Sequence, residues 1–274
     1  MSERGVHGEN YVLGTDQAEL DRLGSQHAVW RDAALDAWSR AGIKVGHTVL
    51  DVGCGPGFAS ADLAQVVGPS GHVLAIDKAP HYLATTTARG FSQITARACD
   101  LDAEDLPLGG VHVDAAWARW VFCFLRNPRG LVEKLARAVA PGGVFVAHEY
   151  FDYASWRGQP AMPENDEFVA AVMASWRANG GEPNIAFPLV RWLDELGFDI
   201  VATVPHVFAA APGEPHFAWV KHFAHTGPQR LVELGFLATD RPSAVAAAYA
   251  RQEATPAARI VTPSLLEIVA RRRG

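Results

Sequence analysis

Asp51-Val52-Gly53-Cys54-Gly55-Pro56-Gly57 sets three glycines at alternate positions behind an acid. Glycine tolerates φ > 0 and has no Cβ, so a ligand can lie directly against such a backbone. A pyrophosphate site wants Gly-x-Gly-x-x-Gly ahead of a helix N-terminus. Here the spacing is Gly-x-Gly-x-Gly, and Asp51 would repel phosphate but could hold an ammonium group directly or through water. A second acid, Asp77, stands about 20 residues past the last loop glycine, where a carboxylate can bridge two ribose hydroxyls. His148-Glu149-Tyr150 offers a third kind of chemistry: a histidine able to take a proton, with an acid to orient it or to bind a cation. Adjacent strand residues point to opposite faces, so these two need not act together.

Each of these groups falls at the end of an apolar run. Residues 48–52 are rich in β-branched side chains and read as a strand buried on both faces. Residues 59–64 follow the glycines as a helix. Further strands are expected at 71–78, 92–99, 111–117 and 144–147. The third ends in Asp100-Leu101-Asp102, and Ala118, Arg119 and Trp120 follow the fourth. A helix over 131–139 is stopped by Pro141-Gly142-Gly143. A helix at 188–197 precedes a sixth strand at 198–204, and 260–262 with 265–269 supply the last. Strands alternating with helices at this rhythm predict a doubly wound α/β fold with a mostly parallel sheet.

Ahead of the sheet, residues 1–10 are polar, and 16–41 have near-helical apolar spacing with Gly24 as a blemish. Gly42 is placed to cap that helix. If it covers the ligand, Tyr11, Arg22, Gln26 and Trp30 face the site. Beyond the fifth strand the chain turns aromatic, with Tyr150, Phe151, Tyr153 and Trp156, then helical at 164–178, 217–234 (broken near Gly227-Pro228) and 243–253. The expected organisation is a helical cover over 1–42, a ligand-binding core over 43–150, a helical insertion over 151–190, and the rest of the sheet with extra helices over 191–274.

The string 49–57, with Asp77, the Asp100/Asp102 tip and the Asp114 strand followed by Pro141-Gly142-Gly143, resembles the class I S-adenosylmethionine-dependent methyltransferases, small-molecule members of types 11 and 25 in particular. Tyr11-Val12-Leu13 with Glu19, Arg22 and Leu23 resembles the same group more loosely. The resemblance covers roughly residues 45–150 and implies a seven-stranded Rossmann-like sheet. It also implies a cofactor, S-adenosylmethionine, with S-adenosylhomocysteine as product. Its contacts would come from Tyr11, Asp51, Gly53, Cys54, Gly55, Asp77 and Lys78. Asp100, Leu101, Asp102, Ala118 and Arg119 complete the set. In this family an acid at the third strand's tip meets the adenine amino group. Strand position favours Asp100 and the Asp-Ala-Glu-Asp-Leu-Pro spacing favours Asp102, so both stay open. Small Ala118 would admit the methionine portion, and Arg119 could reach a carboxylate.

Composition narrows the partners. The net charge of −6 argues against a nucleic-acid substrate, which needs a basic footprint. Arg271-Arg272-Arg273 reads as a solvated tail. No apolar run approaches a membrane span, and the first residues lack a signal peptide's apolar core, so a cytoplasmic protein is expected. Cys54, Cys99 and Cys123 show no metal-ligand spacing, and no metal is expected. Nothing in the sequence speaks to oligomeric state.

The implied reaction moves a methyl group in line from the sulfonium to a small-molecule acceptor, an oxygen by preference. Alignment supplies most of the catalysis. His148, with Glu149, would act only where the acceptor must lose a proton. A peptide or protein carboxylate is the alternative acceptor. A non-catalytic nucleoside-binding module would use the same cofactor residues, and Asp51 with the loop spacing disfavours a nicotinamide enzyme. Nothing past residue 150 names the acceptor.

Overall fold

A computed structural model describes residues 17–274. Tyr11 and its neighbours lie outside the described residues. Seven strands form one sheet in the order β3-β2-β1-β4-β5-β10-β7. Its centre is β1 (Thr48–Val52), flanked by β2 (His72–Asp77) and β4 (Val113–Arg119), with β3 (Ile94–Ala98) at one edge. β5 (Val139–Asp152) follows β4, and β7 (Phe198–His206) forms the other edge. β1 to β5 run parallel; β10 (Ser264–Arg272) runs antiparallel between β5 and β7. This is the doubly wound sheet that the alternating pattern implies.

Period-2 alternation decides which side chain meets which layer. Val49, Ala115, Trp117, Val144 and Val146 pack under α1 (Gln17–Ala41) and α2 (Phe58–Val67). Leu50, Val52, Ala116, Ala118, Phe145 and Ala147 join the larger core on the opposite face. α4 (Pro128–Ala138) and α6 (Ala186–Glu195) supply Leu131, Leu135, Leu189 and Leu193 to that core. α3 (Pro80–Ala88) links β2 to β3.

Several boundaries differ from the sequence reading. α1 is a single 25-residue helix through Gly24. That glycine lets α2 close in, since a Cβ there would stand 3.0 Å from the Phe58 ring. β5 is 14 residues long and runs through Pro141-Gly142-Gly143 to Asp152, because β10 pairs with it as far as that residue. Residues 259–261 leave the main sheet: β9 (Arg259–Val261) pairs with β6 (Arg157–Gln159) and β8 (Ala209–Ala210) in a small second sheet. α7 (Pro215–Glu233) passes through Pro228 unbroken. It packs with α5 (Pro163–Ala178) and α8 (Arg241–Glu253). The terminal arginines are not a free tail. Arg272 donates to the carbonyls of Ala136 and Gly197, and Arg273 pairs with Asp194 and Asp199. Those partners lie far back along the chain, so their proximity required the folded sheet.

Candidate functional site

The carboxyl ends of β1, β2 and β4 open into a cleft. The backbone leaves β1 through Gly53 (φ 64), Gly55 (φ 52) and Gly57 (φ 73), all in the left-handed region. Their reasons differ. A Cβ on Gly53 would stand 2.6 Å from Val121 Cγ2, and one on Gly57 2.5 Å from Thr86 Oγ1. A Cβ on Gly55 would meet nothing within 4 Å. Gly53 and Gly57 therefore serve packing, while Gly55 turns its bare side to the cleft, where a ligand can reach the main chain.

Two acids stand beside this loop. Asp77 accepts from the Gly55 N–H through Oδ2 and the Ala79 N–H through Oδ1, both at 2.9 Å. These bonds fix the carboxylate and leave lone pairs toward the cleft it lines. Burial raises its pKa, against the pull of those two amides. Asp51 is 2% exposed and accepts from Ser60 Oγ at 2.5 Å. Burial lifts its pKa to about 7, with Ser60 and the Arg119 charge opposing. A buried carboxylate titrating there is poised to gain its charge when a cation arrives.

Arg119, at the end of β4, is set from behind. Its Nη2 meets His27 Nδ1 at 2.9 Å, and its Nη1 reaches the Trp30 carbonyl at 3.4 Å. His27 Nε2 in turn meets Asp62 Oδ2 at 3.0 Å, and Arg31 binds both Asp62 oxygens. Burial lowers the Arg119 pKa to about 10, which leaves it charged at neutral pH. A cation with donors to spare thus faces the cleft near Asp51.

The far end of the cleft is aromatic. Trp120 is stacked between Tyr150 and Trp219, with 5.8 Å between ring centroids on each side. Tyr153, Trp156, Trp176, Phe124 and Phe223 extend the wall. α5 and α7 bring Trp176, Trp219 and Phe223. Trp120 itself sits at φ 52, unusual outside glycine. Glu149 holds that turn: its Oε1 accepts from Val121 N at 2.7 Å and Phe122 N at 2.8 Å.

The structure gathers Asp51, Gly53, Cys54, Gly55, Asp77 and Arg119 at one cleft, with Arg22 and Gln26 of α1. It does not place every expected residue there. Lys78 is exposed beyond β2. Ala118 faces the opposite core, since the β4 alternation turns Trp117 and Arg119 to the cleft instead. Trp30 is fully buried in the core rather than facing the cleft. Asp102 is spent on backbone, accepting from Arg126 N and Asn127 N at the start of α4. Asp100 sits at the β3 tip, where the next strand's Asp77 carbonyl accepts from Cys99 N. Asp100 and Leu101 do not line the cleft.

His148 and Glu149 are the clearest corrections. Both are fully buried, on opposite faces of β5, and neither lines the cleft. Burial drives the His148 pKa down to about 4 and the Glu149 pKa up to about 7. Trp117 stands against His148, with 4.9 Å between ring centroids. The histidine therefore cannot act as a base in the cleft, and the acid is a strut for the Trp120–Phe122 turn. Sequence reasoning missed His27, Phe58, Tyr82, Trp176 and Trp219. His27 showed only as one more residue on a helical stripe, and the tryptophans only as an aromatic-rich texture.

Comparison with known proteins agrees with this fold. Residues 50–147 match the family model of a methyltransferase domain. A 2-phytyl-1,4-naphtoquinone methyltransferase of Nostoc punctiforme is 34% identical over 121 residues, 43% of this chain and 51% of that protein. An uncharacterized 37.1 kDa protein in transposon TN4556 of Streptomyces fradiae is 31% identical over 140 residues, 47% of this chain and 37% of that protein. The chain thus spans about half, or less, of the length of these relatives. Among solved structures, a geranyl diphosphate methyltransferase in complex with S-adenosylmethionine superposes with a TM-score of 0.59 at 16% identity, covering 95% of this chain and 94% of its own. The [4+2]-cyclase SpnF superposes with a TM-score of 0.52 at 20% identity, covering 97% and 86%.

Proposed function

We propose that this chain, which belongs to the class I S-adenosylmethionine-dependent methyltransferase family, methylates a flat, largely apolar small molecule of the reduced-quinone type, at a ring carbon. The observation that carries the reading is the cleft itself. It joins a polar end of Asp51, Gly55, Asp77 and Arg119 to an aromatic end of Trp120, Tyr150, Trp176 and Trp219.

The polar end fits the cofactor. Gly55 leaves backbone accessible, Asp77 is oriented for two ribose hydroxyls, and Arg119 suits the methionine carboxylate. Asp51 suits the ammonium, and Asp100 is the better candidate for adenine because only its Oδ1 is engaged, by Asp102 N, whereas both Asp102 oxygens accept from backbone amides. Bound there, S-adenosylmethionine supplies an activated methyl group on a positively charged sulfur. The aromatic wall of Tyr153, Trp176, Phe124 and Phe223 suits both a cation and a stacked ring. α1, α5 and α7 contribute Gln26, Trp176 and Trp219 to that end.

Carbon is favoured over the oxygen first expected because, among the described residues lining the cleft, no histidine is free to act as a base. Among the described residues lining it, His27 is the only histidine, and its Nδ1 is taken by Arg119. Burial raises the pKa values of Tyr150 and Tyr153. An electron-rich ring carbon can attack before any proton leaves, its ring proton passing afterwards to water or a cleft carboxylate, whereas a neutral hydroxyl gains its nucleophilicity from a base. The quinone class rests on the naphthoquinone methyltransferase relative, and the aromatic wall suits it.

The test is incubation with methyl-labelled S-adenosylmethionine and a panel holding a naphthohydroquinone, simple phenols and carboxylate peptides. Label on a ring carbon of the hydroquinone is the expected result. Label on oxygen or peptide alone overturns the acceptor assignment. S-adenosylhomocysteine failing to bind in calorimetry overturns the cofactor assignment. The likeness to a cyclase supports a second reading, in which the same cavity folds an apolar substrate for another reaction; turnover without methyl transfer would favour it.

A further inference from the structure

We propose that His148, His206 and Glu267 form a binding site for one divalent transition-metal ion of the zinc class. The site is structural, and it lies behind the cleft rather than in it. The residues come from three neighbouring strands. Glu267 of β10 is the register partner of His148 on β5, and His206 lies at the end of β7, paired with Leu265. The three potential ligand atoms lie within 4.8 Å of one another. Glu267 Oε2 is the shared apex, 3.1 Å from His206 Nε2 and 3.6 Å from His148 Nε2. A tetrahedral zinc with bonds of about 2.0–2.2 Å holds adjacent N and O ligands roughly 3.3–3.6 Å apart. The Glu267–His148 edge matches that spacing, the Glu267–His206 edge is shorter, and the two imidazole nitrogens, within 4.8 Å of each other, would close in on the ion.

The second observation is an unpaid polar group. His148 is fully buried, yet neither ring nitrogen has a hydrogen-bond partner. Buried polar side-chain atoms are nearly always satisfied. At 3.6 Å the Glu267 contact is too long to satisfy Nε2. A metal held between the three ligand atoms would accept that nitrogen's lone pair.

The surroundings choose the ion. Arg40 pairs with the other Glu267 oxygen, which orients the ligating carboxylate as an outer-shell partner does. It also offsets the carboxylate's charge, which disfavours hard, oxygen-seeking cations such as calcium or magnesium. Two imidazoles and one carboxylate suit zinc-class ions instead. Trp30 and Trp117 wall the site from the cleft side. The His206 side chain is 16% exposed and gives the ion a way in. Bound, the ion would tie β5, β10 and β7 together across residues far apart in sequence.

The test uses the full chain, loaded with zinc and freed of excess, and reads metal content, melting temperature and the visible spectrum after cobalt substitution. The expected result is about one zinc per chain, a higher melting temperature with zinc than after chelation, and a cobalt spectrum of low-coordinate N/O type. His206→Ala, the least buried ligand, and Glu267→Gln should lose all three signals while keeping the far-ultraviolet dichroism of the wild type. A His222→Ala/His225→Ala variant should keep them. Wild-type protein that ends with far less than stoichiometric zinc and melts alike with and without it overturns the proposal, whatever the variants do. So does zinc that survives His206→Ala.

Discussion

Arg119 Nη2 stands 2.9 Å from His27 Nδ1, and that one contact settles the protonation state of the pair. A guanidinium has no lone pair to give, so Nδ1 must accept and Nε2 must carry the hydrogen. Nε2 then donates to Asp62 at 3.0 Å. Burial, and next the Arg119 charge, hold the His27 pKa down to about 4. The helix ahead of the sheet thus aims a cation at the cleft from behind.

Removing that acceptor should loosen Arg119. His27→Phe keeps a ring against Phe58, whose centroid is 5.6 Å from that of His27, but cannot accept from the guanidinium. The expected outcome is a KM for S-adenosylmethionine raised about tenfold, near 1.4 kcal/mol, with kcat nearly unchanged. Steady-state kinetics with the cofactor varied checks it; equal loss in both constants would point to general damage.

Asp77 is pre-oriented by two backbone amides. Asp77→Ala should weaken S-adenosylhomocysteine binding by about 1–3 kcal/mol, through ribose hydroxyls left unpaired. Isothermal calorimetry measures it directly, and unchanged affinity would remove Asp77 from the ribose site.

Asp51 has its pKa lifted to about 7 by burial. An ammonium and a sulfonium prefer its ionised form. Affinity for S-adenosylmethionine should therefore fall as pH drops from about 8 to 6, because the acid must first give up a proton. Asp51→Asn should bind more weakly at pH 8 and show a flatter profile. Binding titrations at several pH values compare the two.

Glu149 carries its test in stability. Its folded pKa is about 7, raised by burial from 4.5. Between these values the folded state holds a proton that the unfolded state has lost, so stability from this group declines as pH rises through the window. Glu149→Gln stays neutral and still offers an oxygen to Val121 N and Phe122 N. Its stability relative to wild type should improve from pH 5 to pH 8 in urea titrations. Glu149→Ala should cost about 1–3 kcal/mol or more at any pH, by stranding two buried amides.

The local elements were legible because they rest on short-range rules. Apolar runs, the glycine spacing and an acid at each strand tip announce β1, its turn and β2 before any contact is known. Asp51, Gly53, Gly55 and Asp77 meet at the cleft because strand ends in a parallel sheet must lie side by side. Arg119 was read as a possible carboxylate partner, but its hold by His27 was not visible, since 92 residues separate them. His148 and Glu149 looked catalytic because polar residues after a strand usually emerge at the sheet's edge. β10 instead pairs with β5 past them, to Asp152, and both are sealed inside.

By itself, then, the sequence determined the parallel core and the polar half of the cleft, through patterns carried within a few residues. Only the tertiary structure decided the aromatic half, the meeting of His148, His206 and Glu267, and the hold of the Arg126 and Asn127 amides on Asp102. Those depend on how α5, α7 and β10 return to the sheet, and long-range packing leaves no local pattern in the chain that makes it.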